Sequence, residues 1–167
     1  ASCSDGTKGT FGGGTPSGGG QTNIIDYITI GTTGNAIDFG DITVARYSVA
    51  GCSNGTRGCM GGGYAGGGKN EIDYITIATP GNAIDFGDLT RTAYYPGSTD
   101  NGVRGVWAGG SEPTINSTID YVTIATTGNA VDFGELIDND REVAGCSDGS
   151  RGLFGGSDDA TDVIQYI

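Results

Sequence analysis

The protein has 167 residues, of which 34 are glycine, 35% are hydrophobic and none is histidine. Glycine costs about 0.8–1.0 kcal/mol relative to alanine inside a helix, which argues against a helical domain, and the lack of histidine excludes Ser-His-Asp sites, Cys-His sites and histidine-bound metals. Eight basic and twenty acidic residues give a net charge of −12, so nucleic acid and anionic membranes are not expected partners.

The chain is a tandem repeat. The block I-D-Y-[IV]-T-I begins, at intervals of 47 residues, at Ile25, Ile72 and Ile119. A shortened copy begins at Ile164. The block G-N-A-x-D-F-G-[DE]-[IL] has the same spacing and begins at Gly34, Gly81 and Gly128. A third block, G-x-[KR]-G-x-[FMW]-x-G-G, occurs four times, around Lys8, Arg57, Arg104 and Arg151. Such periodicity indicates a single repeat domain, with units 1–48, 49–98, 99–143 and a partial unit 144–167.

Each unit is predicted to form four short strands. In chain order, the first is the run around Tyr47 to Cys52, and the second is the block with the basic residue and the glycine pair. A Ser-Asn-Gly or Ser-Asp-Gly turn separates them. The third strand is Ile-Asp-Tyr-Ile-Thr-Ile, and a Thr-Thr-Gly-Asn or Thr-Pro-Gly-Asn turn joins it to the fourth, Ala-Ile-Asp-Phe-Gly-Asp-Leu. Only the connection between the second and third strands varies in length and composition.

The third strand carries apolar residues on both faces. One side holds Ile72 and Tyr74, and the other holds Ile75 and Ile77, so both faces of the sheet are expected to be covered. Four strands in each unit and a period of roughly 40–50 residues are typical of β-propeller blades. We therefore predict an all-β protein with almost no helix and about fifteen strands, in four-stranded antiparallel sheets stacked side by side around an axis.

The strand pattern resembles the kelch repeat, in which a glycine pair ends the second strand and a tyrosine and a tryptophan follow. The glycine pair matches Gly12-Gly13, Gly61-Gly62, Gly109-Gly110 and Gly155-Gly156. The tyrosine matches Tyr27, Tyr74, Tyr121 and Tyr166, and the tryptophan is replaced by Phe39, Phe86 and Phe133. The kelch arginine fits only Arg46, because Ala93 and Asp140 stand at that position in later units. The resemblance implies a kelch-like β-propeller with blades of about 47 residues.

The wording of the repeat also resembles tandem repeats of bacteriophage tail-fibre and other virion proteins. That resemblance implies a non-catalytic structural or receptor-binding propeller module of a tail fibre or virion appendage. Its partners would be other copies, other virion proteins, or a glycan or protein of the host surface. The alternative is a carbohydrate- or protein-binding propeller of a secreted or cell-surface bacterial protein, or a subunit of an extracellular fibril.

The recurring charged residues are predicted to be structural. Asp26, Asp38 and their equivalents stand at one position in every unit, whereas a catalytic acid is needed once, so we expect them to bind backbone amides in turns or between blades. The recurring lysine and arginines are expected to form ion pairs with a neighbouring aspartate. No cofactor is predicted. Calcium at the acidic turns 138–140 or 158–159 is the alternative to solvated loops.

The remaining predictions concern packing and ligands. Core residues between blades are predicted at Phe11, Met60, Trp107 and Phe154. Ligand specificity is expected in the non-repeated loops, and the candidate residues are Tyr64, Lys69, Tyr94 and Tyr95, since tyrosine offers rigid contact area.

The cysteines leave two interpretations open. Cys3, Cys52 and Cys146 share one repeat position with Thr99, which favours a small buried packing site. Cys52 and Cys59 could instead lie opposite each other in a hairpin and form a disulfide, so the redox compartment stays undecided.

The number of blocks bears on closure of the ring. The fourth-strand block occurs three times and the second-strand block four times, so one blade lacks its last strand. We therefore expect an open array with a bare sheet edge, either as a segment of a longer repeat or as a protomer completed by a neighbour.

Overall fold

The computed structural model describes residues 1–111, 113–156 and 163–167. These residues form fifteen strands and no helix, which confirms the all-β prediction. None of them belongs to a helix that could span a membrane.

The strands form four separate sheets. Sheet 1 contains β1 (Ser2–Ser4), β2 (Lys8–Gly14), β3 (Thr22–Thr29) and β4 (Ile37–Asp41). Sheet 2 contains β5 (Ala50–Ser53), β6 (Arg57–Gly61), β7 (Lys69–Thr76) and β8 (Ile84–Ala93). Sheet 3 contains β9 (Gly97–Asp100), β10 (Arg104–Ala108), β11 (Thr118–Thr123) and β12 (Val131–Glu135). Sheet 4 contains β13 (Ala144–Ser147), β14 (Gly152–Gly155) and β15 (Ile164–Tyr166). In every sheet the strands lie in chain order and pair antiparallel.

The first strand of each unit is shorter than predicted. In sheet 2 it begins at Ala50 rather than near Tyr47, because Ser48 has a φ of 54°, which does not fit a strand. Tyr95 and Glu142 stand at the same repeat position with φ values of 60°. Each connection between sheets therefore turns at the same repeat position, just before the first strand of the next sheet begins.

The glycine pair has a different register from the one predicted in the third unit. Gly13, Gly62 and Gly109 share φ values of 65–69°, so Gly109 is equivalent to Gly62 rather than to Gly61. A Cβ atom added at Gly62 would lie 2.7 Å from the carbonyl oxygen of Ala93. The position requires glycine for both its backbone conformation and this close approach.

The core lies between successive sheets. We call the face of a sheet toward the preceding sheet its upstream face, and the face toward the following sheet its downstream face. The joint of sheets 1 and 2 buries Cys3, Ile25, Phe39, Ile42, Met60, Ile75 and Ile77. The joint of sheets 2 and 3 buries Cys52, Cys59, Ile72, Phe86, Leu89, Trp107, Val122 and Ile124. The joint of sheets 3 and 4 buries Val106, Ala108, Ile119, Leu136, Val143 and Phe154. Both faces of β7 are thus covered, as predicted.

One large residue on each upstream face fills a gap left by a small residue of the preceding sheet. A Cβ atom at Gly12 would lie 2.7 Å from the Met60 sulfur, and one at Gly61 would lie 2.9 Å from the Trp107 ring. Met60, Trp107 and Phe154 are buried as predicted. Phe11, at the same position of sheet 1, is instead 49% exposed, because no described sheet covers that face. Among the described residues the sheets therefore form no closed ring.

Five of the six recurring aspartates bind backbone amides, as predicted, and Asp26 is the exception among the described residues. In turns, Asp38 accepts a hydrogen bond from the Gly40 amide, and Asp85 accepts one from Gly87. Between sheets, Asp73 of β7 accepts hydrogen bonds from the amide (3.3 Å) and hydroxyl (2.6 Å) of Thr43, in the connection that leaves sheet 1. Asp120 binds Thr90 in the same way, at 3.2 and 2.6 Å.

The joint of sheets 3 and 4 uses different polar residues at the positions of Asp73 and Arg46. Gln165 occupies the position of Asp73, and its amide oxygen accepts a hydrogen bond from the Ile137 amide. Its amide nitrogen donates to Asp140, 3.5 Å away, and Asp140 stands at the position of Arg46. The acid thus moves from the strand to the connection, where it meets a neutral donor instead of an arginine.

The recurring basic residues form none of the predicted ion pairs with the described aspartates. Instead, Lys8, Arg57, Arg104 and Arg151 each lie over the ring of the tyrosine on the neighbouring third strand, 4.2–5.2 Å from its centroid. Lys8 also donates to the Ala78 carbonyl, and Arg57 donates to the Ile124 carbonyl, each in the turn after the third strand of the next sheet. The tyrosine rings thus provide cation–π contacts where an acidic partner was expected.

Asp120 makes the stability of the second joint depend on pH. Burial raises the pKa of its carboxyl above the ordinary 3.8, against the lowering effect of the hydrogen bonds from Thr90. Because the folded state favours the protonated form, Asp120 contributes fully to the free energy of unfolding below its pKa in the unfolded chain. This contribution is lost as pH rises through its pKa in the folded protein. We expect Asp120→Asn to cost more stability at pH about 4 than at pH about 7, measured by urea denaturation. Equal costs at the two pH values would contradict this prediction.

Candidate ligand-binding surface

Four tyrosines form a continuous aromatic cluster on the two connections that enter and leave sheet 2 and on the loop between β6 and β7. The ring centroids of Tyr47 and Tyr64 lie 5.3 Å apart, those of Tyr64 and Tyr94 lie 5.4 Å apart, and those of Tyr94 and Tyr95 lie 5.1 Å apart. All four side chains are half-buried. The cluster of Tyr47, Tyr64, Tyr94 and Tyr95, called the tyrosine cluster below, therefore offers ring edges, ring faces and hydroxyls on one surface.

Backbone hydrogen bonds position the tyrosine cluster. The Tyr47 and Tyr64 amides each donate to the other's carbonyl, at 3.2 and 2.8 Å. Tyr94 makes the same reciprocal pair with Ser111 in the next unit, at 3.0 and 2.9 Å. The Tyr95 amide approaches the Ser48 carbonyl at 3.4 Å. The rings thus project from segments tied to two neighbouring sheets, which limits the entropy lost when a ligand binds.

Three of the four predicted ligand residues meet in this cluster. Tyr64, Tyr94 and Tyr95 are brought together, although 30 residues separate Tyr64 from Tyr94 along the chain. Sequence reasoning missed Tyr47 because the residue was assigned to a strand. Its position is equivalent to that of Tyr94 one repeat later, and this equivalence was the signal that could have found it.

The cluster is not a repeated feature. Tyr64 is replaced by Ser111 in the next unit, and Tyr95 corresponds to Ser48 and Glu142. The aromatic surface therefore lies over the first two joints only, where the varied positions of three connections meet. Residues that vary on a constant scaffold are where binding specificity is expected.

The Tyr47 hydroxyl stays neutral at physiological pH. Partial burial raises the pKa of the Tyr47 hydroxyl above its ordinary value of 10, and the neighbouring hydroxyls of Tyr64, Tyr95 and Tyr94 raise it further. Neutral phenol groups both donate and accept hydrogen bonds. The surface suits an uncharged ligand that is rich in hydroxyl or amide groups.

Lys69, the fourth predicted ligand residue, lies beside the cluster rather than in it. It begins β7, pairs across the sheet with Ala93, and is therefore next to the backbone of Tyr94. Its ammonium group is half-exposed and lies 4.0 Å from the Glu71 carboxylate. Lys69 offers one positive charge at the rim, partly compensated by this acid.

The cysteines are free thiols in the structure. Cys52 and Cys59 do lie opposite each other on β5 and β6, as predicted, but no disulfide joins them. The Cys3 thiol packs against the same pair and approaches the Cys52 carbonyl at 3.4 Å. Burial, followed by the nearby Cys59, raises the pKa of Cys3 to about 12. Cys146 differs from the predicted packing site because its side chain is exposed.

The candidate calcium sites find no support among the described residues, which contain no group of three or more acidic, cysteine or histidine side chains that could hold a metal ion. Asp140 is buried and accepts a hydrogen bond from Gln165. Residues 158–159 lie outside the described part of the chain.

An open groove of about 450 Å³ lies where the sheets converge. It is lined by the starts of the first strands of all four sheets, by the residues before them and by Phe11 of β2. Ser98 of β9 donates to the Gly51 carbonyl of β5 at 2.8 Å, so these first strands lie side by side. Backbone and small side chains dominate the groove, whereas the tyrosine cluster carries the large side chains.

No model of a known protein family and no curated protein matches this sequence.

Proposed function

We propose that this protein is a non-catalytic structural and receptor-binding module of a bacteriophage tail fibre or virion appendage, built as a kelch-like propeller array. The resemblance of its repeats supports the virion location. Four antiparallel sheets whose first strands line one groove support a propeller-like arrangement. Locating the chain with an antibody in purified particles, rather than in the free secreted fraction, tests the virion assignment.

The tyrosine cluster carries the receptor-binding part of the proposal. Tyrosine rings give large contact area at small entropic cost, and their hydroxyls provide hydrogen bonds. The net charge of −12 opposes strongly anionic receptors. We therefore assign a neutral host-surface polysaccharide to this surface, with Lys69 at its rim.

The use of the recurring acids supports a non-catalytic role. Asp73 and Asp120 are buried and already accept two hydrogen bonds each from the connection that they hold. A general acid or base must reach the proton that it transfers, and these two carboxylates face a joint between sheets.

Removing rings from the tyrosine cluster is expected to abolish binding without unfolding the protein. The probe is an immobilised panel of purified neutral bacterial polysaccharides, read by biolayer interferometry. Against the polysaccharide that wild type binds best, Tyr64→Ala with Tyr94→Ala should weaken binding at least about thirtyfold, the effect of a central hot spot of about 2 kcal/mol.

Tyr121→Ala is the matched control for the tyrosine cluster. Tyr121 is also half-buried and packs edge-on against Phe133, with ring centroids 5.9 Å apart, but it lies outside the cluster. This control should bind as wild type does. The receptor proposal fails if wild type binds none of the polysaccharides, or if the double variant keeps full binding and a native circular dichroism spectrum.

A further inference from the structure

No other sheet among the described residues covers the upstream face of sheet 1 or the downstream face of sheet 4. Phe11 is 49% exposed, whereas its equivalents Met60 and Trp107 are at most 1% exposed. On sheet 4, Ile164 is 72% exposed, whereas its equivalents in the other three sheets are at most 2% exposed, namely Ile25, Ile72 and Ile119. Residues that the repeat uses to join sheets therefore remain free at both ends of the row.

The two uncovered faces carry complementary halves of one contact. Inside the chain, the large residue of an upstream face packs over Gly12 in sheet 1 and Gly61 in sheet 2. Gly155 holds this position in sheet 4, and a Cβ atom added there would meet only Ile164 and Val163 of the same sheet. Among the described residues, no other sheet fills the gap at Gly155, and Phe11 is the equivalent large side chain that has no small residue of a preceding sheet to pack on.

A second contact repeats with the same polarity. A Cβ atom at Gly58 would lie 2.7 Å from Cys3 of the preceding sheet, and one at Gly152 would lie 2.9 Å from Thr99. At Gly9 the same atom would meet only its own sheet. Cys146, equivalent to Cys3 in sheet 4, is exposed. Gly9 therefore has no residue of a preceding sheet packed on it, and Cys146 has no glycine of a following sheet to pack on, among the described residues.

We propose that copies of this chain associate head to tail, with the downstream face of sheet 4 of one copy on the upstream face of sheet 1 of the next. Phe11 fills the gap at Gly155, and Cys146 packs on Gly9, as equivalent residues do at the joints inside the chain. Two different surfaces meet, so the interface is heterologous and gives a ring or a filament, according to the rotation between copies. This inference does not depend on the polysaccharide proposed for the tyrosine cluster.

The charge of the chain sets the conditions for association. Each copy carries −12, so copies repel one another at low ionic strength, and salt screens this repulsion. The side chains proposed to meet, Phe11, Ile164 and Cys146, carry no charge, and Asp26 beside Phe11 adds one carboxylate to the upstream face. Head-to-tail assembly should therefore strengthen as salt is raised, opposite to the behaviour of an interface held by ion pairs.

Sedimentation velocity of the full chain over a wide concentration range tests the interface. Wild type should grow into larger species as concentration rises. Phe11→Asp and Ile164→Asp should each remain monomeric at concentrations where wild type assembles. An equimolar mixture of the two variants should form a one-to-one dimer, because the first keeps a good downstream face and the second keeps a good upstream face.

Val103→Asp is the matched control for an exposed apolar side chain changed to aspartate. Val103 is 61% exposed in the turn between β9 and β10, where the other units carry Thr7, Thr56 and Ser150. This variant should assemble as wild type does. Circular dichroism melts of all variants at low concentration show whether each one folds.

Labelling of Cys146 gives a second readout under reducing conditions, because it is the exposed cysteine and the other three are buried. The rate of maleimide labelling should fall as wild type assembles. In the mixture, only the Cys146 of the Phe11→Asp chain should be protected. The proposal is overturned if wild type stays monomeric with a constant labelling rate. It is also overturned if Ile164→Asp alone still dimerises, since that would show the upstream face pairing with itself.

Discussion

Replacing Trp107 with alanine is expected to lower the free energy of unfolding by about 3–5 kcal/mol, the usual cost of removing a large buried aromatic side chain. The ring is fully buried between sheets 2 and 3 and lies against Gly61. Its indole nitrogen also donates to the Ala50 carbonyl at 3.2 Å. The substitution leaves a cavity and removes a bond that joins the two sheets. Urea denaturation followed by circular dichroism measures the loss.

Phe11→Ala is the control at the same repeat position. Because Phe11 is about half exposed, its loss should change the free energy of unfolding by only about 0.5 kcal/mol, measured at submicromolar concentration to avoid association. A cost for Phe11→Ala equal to that for Trp107→Ala would mean that the upstream face of sheet 1 is covered within a single chain. Such a result would contradict the open row of sheets.

Asp73→Ala should be similarly destabilising, by about 3–5 kcal/mol, because it leaves a buried arginine without its counterion. The Arg46 guanidinium lies 2.9 Å from the Asp73 carboxylate, and both side chains are at most 1% exposed. Arg46 Nη2 also donates to the carbonyls of Met60 and Glu71, at 3.2 and 3.4 Å, whereas Nε and Nη1 have no hydrogen-bond partner. No other acid among the described residues would then neutralise the guanidinium charge. Thr43 loses its acceptor in the same substitution. Urea denaturation at neutral pH measures the change.

The third joint supplies a matched rescue for this prediction. Arg46→Asp combined with Asp73→Gln reproduces the Asp140 and Gln165 arrangement at the first joint. We expect this double variant to recover at least half of the stability lost in Asp73→Ala, since it satisfies the Thr43 amide without a buried positive charge. Failure to recover any stability would show that the surrounding packing requires the ion pair. The non-additivity of Arg46→Met and Asp73→Ala measures the coupling directly.

The repeat divides the protein into a scaffold and a variable surface. Stability resides in three joints that use the same positions, so each unit is stabilised mainly by its neighbours. The tyrosine cluster uses positions that differ between units, such as Tyr64 and Ser111. Substitutions at the joints are therefore expected to change folding, and substitutions in the cluster are expected to change binding.

The sequence by itself determined the strand content, the four units and the covering of both faces of β7. These features follow from local chemistry: the period of 47 residues, the turn-forming glycine motifs and the alternation of side chains along a strand. The same reasoning identified the structural role of the recurring aspartates, because an acid repeated at one position is tied to the repeated backbone.

Only the tertiary structure decided how the units meet. The meeting of Tyr64 with Tyr94, the contact of Arg57 with the Tyr74 ring and the exposure of Phe11 all depend on which sheet lies beside which. A repeated motif gives each copy the same local preference, and whether that preference is satisfied depends on a neighbour distant in sequence. Phe11 and Trp107 therefore have the same local position within their units, and the preceding sheet makes one of them core and leaves the other exposed.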